Sequence, residues 1–207
     1  MPKFRCQVCD QPFDLPQKTL DKYPGWTPRY CREHSPKKKG RGRSAPAEER
    51  LTLAQVRSRF SGGPQDGVFT DGGCTPNPGP GGWGVVWVRG GEIVEQRHGH
   101  ARDTTNNRME LTALIEALRL LPADEVCDVF SDSQLCVKTV NEWAPSWEKR
   151  GWRRKGGPIK NLELVQELYA LHGQHPRATL RWIAAHNGNL WNEYADALAG
   201  AWQRDEL

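Results

Sequence analysis

The chain has no apolar run approaching the roughly 20 residues of a membrane-spanning helix, which excludes an ordinary helical membrane protein. Its opening residues, Met1-Pro2-Lys3-Phe4-Arg5-Cys6, also lack the apolar stretch of a secretory signal. A soluble, cytoplasmic protein without membrane contact is the expectation. Cysteine is sparse, six residues in 207, and in a reducing compartment six thiols argue for metal ligation or burial before disulfides. Cys6, Cys9 and Cys31 cluster with His34 near the start, whereas Cys74, Cys127 and Cys136 stand singly and are expected to act as small buried hydrophobes.

Excess positive charge is missing from most of the chain. The net charge of +4 hides opposite imbalances: residues 1–64 hold 14 Lys/Arg against 6 Asp/Glu, and residues 65–207 hold 15 against 19. The length suits one ordinary domain plus a smaller appendage, and the charge places the appendage in front. There, Cys6-Gln7-Val8-Cys9 is followed after 21 residues by Cys31-Arg32-Glu33-His34. Two ligand pairs on two turns suit a Cys3His tetrahedral zinc site, and a stretch broken by Pro12, Pro16, Pro24 and Pro28 is too short to fold on apolar burial alone. Residues 1–35 are therefore expected to form a zinc-binding module; the alternative is a flexible arm with incidental thiols.

Residues 36–65 are expected to be a basic linker. Lys37-Lys38-Lys39-Gly40-Arg41-Gly42-Arg43 puts five cations in seven positions, a run that repels itself and stays extended. It reads either as a solubilising tether or as a sequence-blind grip on phosphates. Within the linker, Leu51, Leu53, Val56 and Phe60 have the spacing of a short amphipathic helix.

Residues 66–203 are organised around Val68 to Val88, two apolar strands joined by a Gly- and Pro-rich loop. Asp71 sits on or just after the first strand. A carboxylate there is costly unless something positive meets it, and the flanking glycines leave room for a metal ion or a phosphate backbone. Arg89-Gly90-Gly91 signals a hairpin to a third strand, Glu92 to Arg97. Leu111, Leu114, Ile115, Leu118 and Leu121 recur at helical spacing until Pro122, with Glu110 on the first turn. Val126 to Phe130 is a fourth strand ending at Asp132, where open α/β sheets place ligands; an N-cap role for Asp132 or a neighbouring Ser is compatible with that. Leu135 to Trp143 reads as helix. Trp143, Trp147 and Trp152 then interleave with Lys149, Arg150, Arg153, Arg154 and Lys155, a mixture suited to a nucleic-acid backbone, with core packing expected for Trp143 and Trp147. A helix from Asn161, a strand from Ala178 to Ala185 and a helix from Leu190 follow, the last carrying Asp196 about two turns in.

Taken together, Thr70-Asp71-Gly72-Gly73-Cys74, Asn77-Pro78-Gly79-Pro80-Gly81-Gly82, Thr104 to Leu111, Ser131-Asp132-Ser133-Gln134, the Trp/Arg/Lys segment ending at Asn161, and His186 ten residues before Asp196 resemble type I ribonuclease H. The resemblance implies an α/β fold of the ribonuclease H-like kind: a five-stranded mixed sheet, order 3-2-1-4-5, with helices on both faces. It implies endonucleolytic hydrolysis of the RNA strand of RNA/DNA hybrids by a monomer, leaving 5′-phosphate and 3′-hydroxyl ends. Asp71, Glu110, Asp132 and Asp196 look like the carboxylates holding two Mg²⁺ ions, with Mn²⁺ a possible substitute. Asp71 would bridge the pair, and His186 resembles an auxiliary histidine. Asn77, Asn106 and Gln134 look like readers of the RNA minor-groove face. Thr105 and Asn161, with Arg108 nearby, resemble a DNA-phosphate pocket, and Trp147 to Lys160 a substrate handle, here with Glu148 among its cations. The front segment resembles small zinc ribbons and implies no particular protein partner. The competing readings are a nuclease of this superfamily acting on DNA and a non-catalytic hybrid-binding protein.

Overall fold

The computed structural model describes residues 3–22, 27–31, 34 and 51–204. The chain divides into two compact units, Met1–Glu49 and Arg50–Leu207. The basic run Lys37 to Arg43 and the last three residues of the expected 204–207 tail lie outside the described residues. Among those described, no helix is long and apolar enough to cross a membrane.

The first unit contains an antiparallel pair, β1 (Lys3–Arg5) and β2 (Pro12–Asp14), followed by a single helical turn, α1 (Gln17–Asp21). Phe4 and Phe13 face each other across the pair with ring centroids 5.9 Å apart.

The second unit is a five-stranded sheet built from β3 (Gly67–Cys74), β4 (Gly79–Arg89), β5 (Glu92–Thr104), β6 (Cys127–Ser131) and β7 (Ala178–Trp182). Its order is β5-β4-β3-β6-β7, antiparallel for the first three strands and parallel where β6 and β7 join. This is the expected 3-2-1-4-5 mixed sheet. Alternation along β3 sends Val68 to one face and Phe69 to the other, so each seeds a separate core. On the Val68 side α3 (Asn106–Leu120) lays down Leu111, Leu114 and Leu118, with α6 (Leu162–Gln174) adding Val165 and Leu168. On the Phe69 side α7 (Leu190–Ala199) contributes Trp191, Tyr194 and Leu198.

Four features depart from the sequence reading. β5 runs to Thr104 rather than stopping near Arg97, because its polar outer residues pair with β4 without an apolar face to announce them. The expected helix from Leu135 to Trp143 is α4 (Gln134–Lys138), a π-helical turn (Thr139–Trp143) and α5 (Ala144–Glu148). Pro145, near the start of α5, has no N–H for the Asn141 carbonyl one turn back, which accounts for the widened turn. Trp143 is not core; it is 37% exposed and lies against Trp147, rings 5.9 Å apart. The expected linker is shorter at its far end, because the compact unit begins at Arg50 and the anticipated helix at Leu53, α2 (Leu53–Arg59), buries Leu53 and Val56 against α7.

Candidate active site and a four-ligand cluster

The parallel register of β3 and β6 aligns Thr70 with Ser131. Asp71 and Asp132 are therefore the next residues on adjacent strands, at the same edge of the sheet. The residue before each carboxylate is locked: the buried Thr70 hydroxyl donates to the Phe130 carbonyl at 3.0 Å, and the Ser131 hydroxyl accepts from the Ser133 amide at 3.1 Å. Ser133, not Asp132, caps α4 through the Cys136 amide, which leaves the Asp132 carboxylate for the site. The Asp132 carbonyl accepts from Trp182 Nε1 at 3.1 Å.

Glu110 and Asp196 are brought in by close approach of helix to strand. A Cβ at Gly72 would lie 2.3 Å from the Met109 carbonyl carbon and 2.4 Å from the Glu110 nitrogen. The room expected beside Asp71 for a metal or phosphate is thus filled at Gly72 by the backbone of α3; only Gly73 faces open space. On the opposite face a Cβ at Gly84 would lie 2.4 Å from the Ala195 carbonyl oxygen, so α7 sits directly on β4 with Asp196 at the sheet edge.

Oxygens of Asp71, Glu110 and Asp132 lie within 4.8 Å of one another, and the charge of Asp196 also bears on Asp71. Burial, then the charges of Glu110, Asp196 and Asp132, push Asp71 well above the usual carboxylate range. Burial, then Asp132 and Asp196, do the same to Glu110. Asp132 is raised by burial and by Asp196, with partial relief from His186 and from an Asn192 hydrogen bond. Glu110 Oε2 is buried without a hydrogen-bond partner, a costly state that an added cation would relieve. The donor set, hard oxygens only, suits Mg²⁺ or Mn²⁺.

His186 lies in an exposed loop in the left-handed conformation, φ 48°, with Nδ1 3.7 Å from Glu193 Oε2. His186, Glu193 and Asp196 form a second close group, so Asp196 faces both. Glu193 and the 2%-exposed Asn192 were not anticipated, although Glu193 stands one helical turn before Asp196 and shares its face.

The expected substrate residues surround this edge less uniformly. Asn77 and Gln134 are exposed, in the loop before β4 and at the start of α4. Asn106 Oδ1 accepts from the Cys74 amide at 2.8 Å, tying the glycine-rich loop to α3. Thr105 caps α3, and Arg108 pairs with Glu163 at 2.5 Å, two residues beyond left-handed Asn161. In the handle, Lys149, Arg150, Arg153 and Arg154 are exposed, whereas Trp147 and Trp152 pack on the core, Trp152 edge-on to Tyr169. Glu148 is directed to the Tyr169 hydroxyl at 3.4 Å. Cys136 is buried as expected; Cys74 and Cys127 are half-buried.

In the first unit, ligand atoms of Cys6, Cys9, Cys31 and His34 lie within 4.8 Å of one another. Cys9 and Cys31 sulfurs are 3.9 Å apart, and His34 Nδ1 is 3.8 Å from Cys6 Sγ and 3.2 Å from Cys31 Sγ. A zinc tetrahedron with sulfur at about 2.3 Å has S···S edges of about 3.8 Å, so the cluster has the right size. Desolvation pushes the Cys6 thiol up, but backbone amides of Cys31, Cys9 and Val8 outweigh it and hold it at about 6.

An acidic edge assembled from two strands and two helices of such a sheet is suited to holding hard divalent cations. The RNase H family model matches residues 64–203. Curated relatives named ribonuclease H include those of Thiobacillus denitrificans, 47% identical over 133 residues (64% of this chain, 88% of the relative), and Hahella chejuensis, 43% identical over 141 residues (68% and 94%). Among solved structures, the crystal structure of LC9-RNase H1, described as a type 1 RNase H with the type 2 active-site motif, superposes with a TM-score of 0.57 at 34% identity, covering 69% of this chain and 75% of that one. The chain belongs to the type I ribonuclease H family and is a ribonuclease H hydrolase.

Proposed function

We propose that the second unit is an endonuclease that cuts the RNA strand of RNA/DNA hybrids with two divalent metal ions, leaving 5′-phosphate and 3′-hydroxyl ends. The observation that carries this reading is the four-carboxylate edge, with Glu110 Oε2 buried and unpartnered, in a chain of this family. The four carboxylates would hold the ions, with Asp71 serving both, Asp196 the nucleophile side, and Glu110 and Asp132 the leaving-group side. Bound Mg²⁺ would supply a water of lowered pKa and neutralise charge building on the phosphodiester. Thr70 and Ser131 hold the two strand carboxylates in place. Asn77, Asn106 and Gln134 offer polar groups to the RNA 2′-hydroxyl face. Thr105, Arg108 and Asn161 take a DNA phosphate, which must share Arg108 with Glu163. The cations from Lys149 to Arg154 extend the grip on the backbone, with Trp147 and Trp152 as its rigid base. The enzyme is assigned to the cytoplasm as a monomer.

Labelled RNA/DNA hybrid, duplex RNA and duplex DNA, each incubated with Mg²⁺ or EDTA, test the reading. Cleavage of the hybrid's RNA strand alone, and only with Mg²⁺, is expected; cutting of duplex DNA would instead favour a DNA nuclease.

His186 is assigned to proton traffic beside the carboxylates, where its ring is in contact with water. His186→Ala should reduce kcat by on the order of 10²–10⁴-fold while leaving measurable turnover and unchanged Mg²⁺ affinity. Total loss of turnover would make His186 indispensable and contradict the auxiliary role.

The first unit is proposed to hold a structural zinc ion on Cys6, Cys9, Cys31 and His34 and, with the basic run behind it, to tether the enzyme to polyanionic substrate. Residues 1–49 hold 11 Lys/Arg against 6 Asp/Glu. Deleting them should raise KM, keep kcat within a few-fold, and flatten the salt dependence of binding, because fewer counterions are released. Cys6→Ser with Cys9→Ser should remove the zinc found by atomic absorption without altering the melting of the second unit. An unchanged KM and salt slope after deletion would point to a protein partner for the module.

A further inference from the structure

Residues 51–63 precede the stretch matched by the family model, yet they are built into the domain that carries the carboxylates. Thr52 closes a capping box with Gln55 at the start of α2, and Leu53 and Val56 enter the core that holds Trp191, Tyr194, Ala197 and Leu198. Arg204, beyond the far end of α7, donates to the carbonyls of both Leu51 and Ala197. After α2 the chain runs beside the beginning of α7. Gly62 forms a parallel bridge with Asn189, its carbonyl accepting from the Leu190 amide at 2.9 Å. Gln65 Oε1 accepts from Trp191 Nε1 at 3.2 Å, and the Gln65 carbonyl accepts from the Gly91 amide in the β4–β5 turn.

These bonds fall where α7 needs them. The first amides of a helix have no partner within it, and the Asn189 side chain makes no capping bond. The Gly62 carbonyl takes that place for Leu190. The fit is tight: Gly63 has φ 91°, and a Cβ there would stand 2.6 Å from Asn189 Oδ1. The start of α7 in turn anchors the His186 loop immediately before it, and the helix carries Asn192, Glu193 and Asp196.

We infer that residues 51–65 are a positioning strap, fixing the first turn of α7 and so setting where Asp196, Glu193 and the His186 loop stand against the ends of β3 and β6. For its catalytic consequence this rests on the metal reading given under Proposed function. The strap acts through α7 and touches neither substrate nor metal.

The test uses the full chain with Gly63→Ala, which crowds Asn189 and puts a side chain at a positive φ, and Gln65→Ala, which removes the partner of Trp191 Nε1. Amide hydrogen exchange over Leu190 to Glu193 is measured with Mg²⁺ affinity by calorimetry and the Mg²⁺ concentration for half-maximal cleavage. Losing one such hydrogen bond should speed local exchange, and weaken Mg²⁺ binding, by roughly 2- to 10-fold, with kcat at saturating Mg²⁺ less affected. A lower melting temperature with unchanged exchange, or faster exchange with unaltered Mg²⁺ affinity, would reduce the segment to a stabilising appendage and overturn the proposal. Should Gly63→Ala fail to fold, Gln65→Ala decides by the same readouts. Wild-type protein that binds no Mg²⁺ would defeat the metal reading alone, since exchange in the Gln65→Ala variant still reports on the strap.

Discussion

Asp71→Asn is expected to abolish Mg²⁺-dependent hybrid cleavage and, near neutral pH without metal, to raise the melting temperature. The two effects have one origin. Asp71 carries negative charge into a buried edge that already holds Glu110, Asp132 and Asp196, and its carboxyl is raised well above the ordinary range by burial and by those three charges. For an acid raised in the folded state, both states are protonated below the unfolded value of about 3.9, and no penalty exists there. The penalty grows as pH rises from that value through the raised folded value, and above it is complete. Metal-free wild-type protein should therefore lose stability through these groups on going from acid to neutral pH, and the Asn variant should lose less. Each kcal/mol of relieved repulsion shifts the midpoint by about 2–4 °C in a unit of this size. Melting curves across pH in EDTA check this. Retained cleavage, or a variant that melts with the wild-type pH dependence, would contradict it.

Gly72→Ala is expected to damage both stability and rate. The added methyl would meet the backbone of Met109 and Glu110 at 2.3–2.5 Å, and backbone cannot swing aside as a side-chain tip can. Overpacking of this kind costs about 1–3 kcal/mol, or a fall of roughly 2–12 °C in melting temperature. Relief requires α3 to move off β3, taking Glu110 away from Asp71; misplacement near 1 Å costs about 10²-fold in rate. Gly73→Ala is the control, since nothing lies within 4 Å of a Cβ there. Equal melting temperatures and rates for the two variants would show that the helix contact does not set the site.

The sheet order was legible because the motifs fall in family order, and α3 because Leu111, Leu114, Ile115 and Leu118 mark one face. That Asp71 lies on a strand, Asp132 just past one, and Glu110 and Asp196 on helices was legible for the same reason. What escaped was information held by contacts. The role of Gly72 depends on which helix crosses β3, and α2 buries only two of its seven residues, too few to announce its packing on α7. Asn192 and Glu193 stand on the same helix as Asp196, but neither belonged to the motifs that singled Asp196 out. Trp143 and Trp147 look alike in sequence, but the π-helical turn rotates Trp143 toward solvent while Trp147 reaches the core.

The most direct test of the central claim is anomalous diffraction from crystals of the protein grown with hybrid and Mn²⁺. Two peaks about 3.5–4 Å apart are expected, both beside Asp71, one also contacting Asp196 and the other Glu110 and Asp132. Peaks that avoid Asp71, or a fully occupied hybrid complex with no ion at this edge, would contradict it.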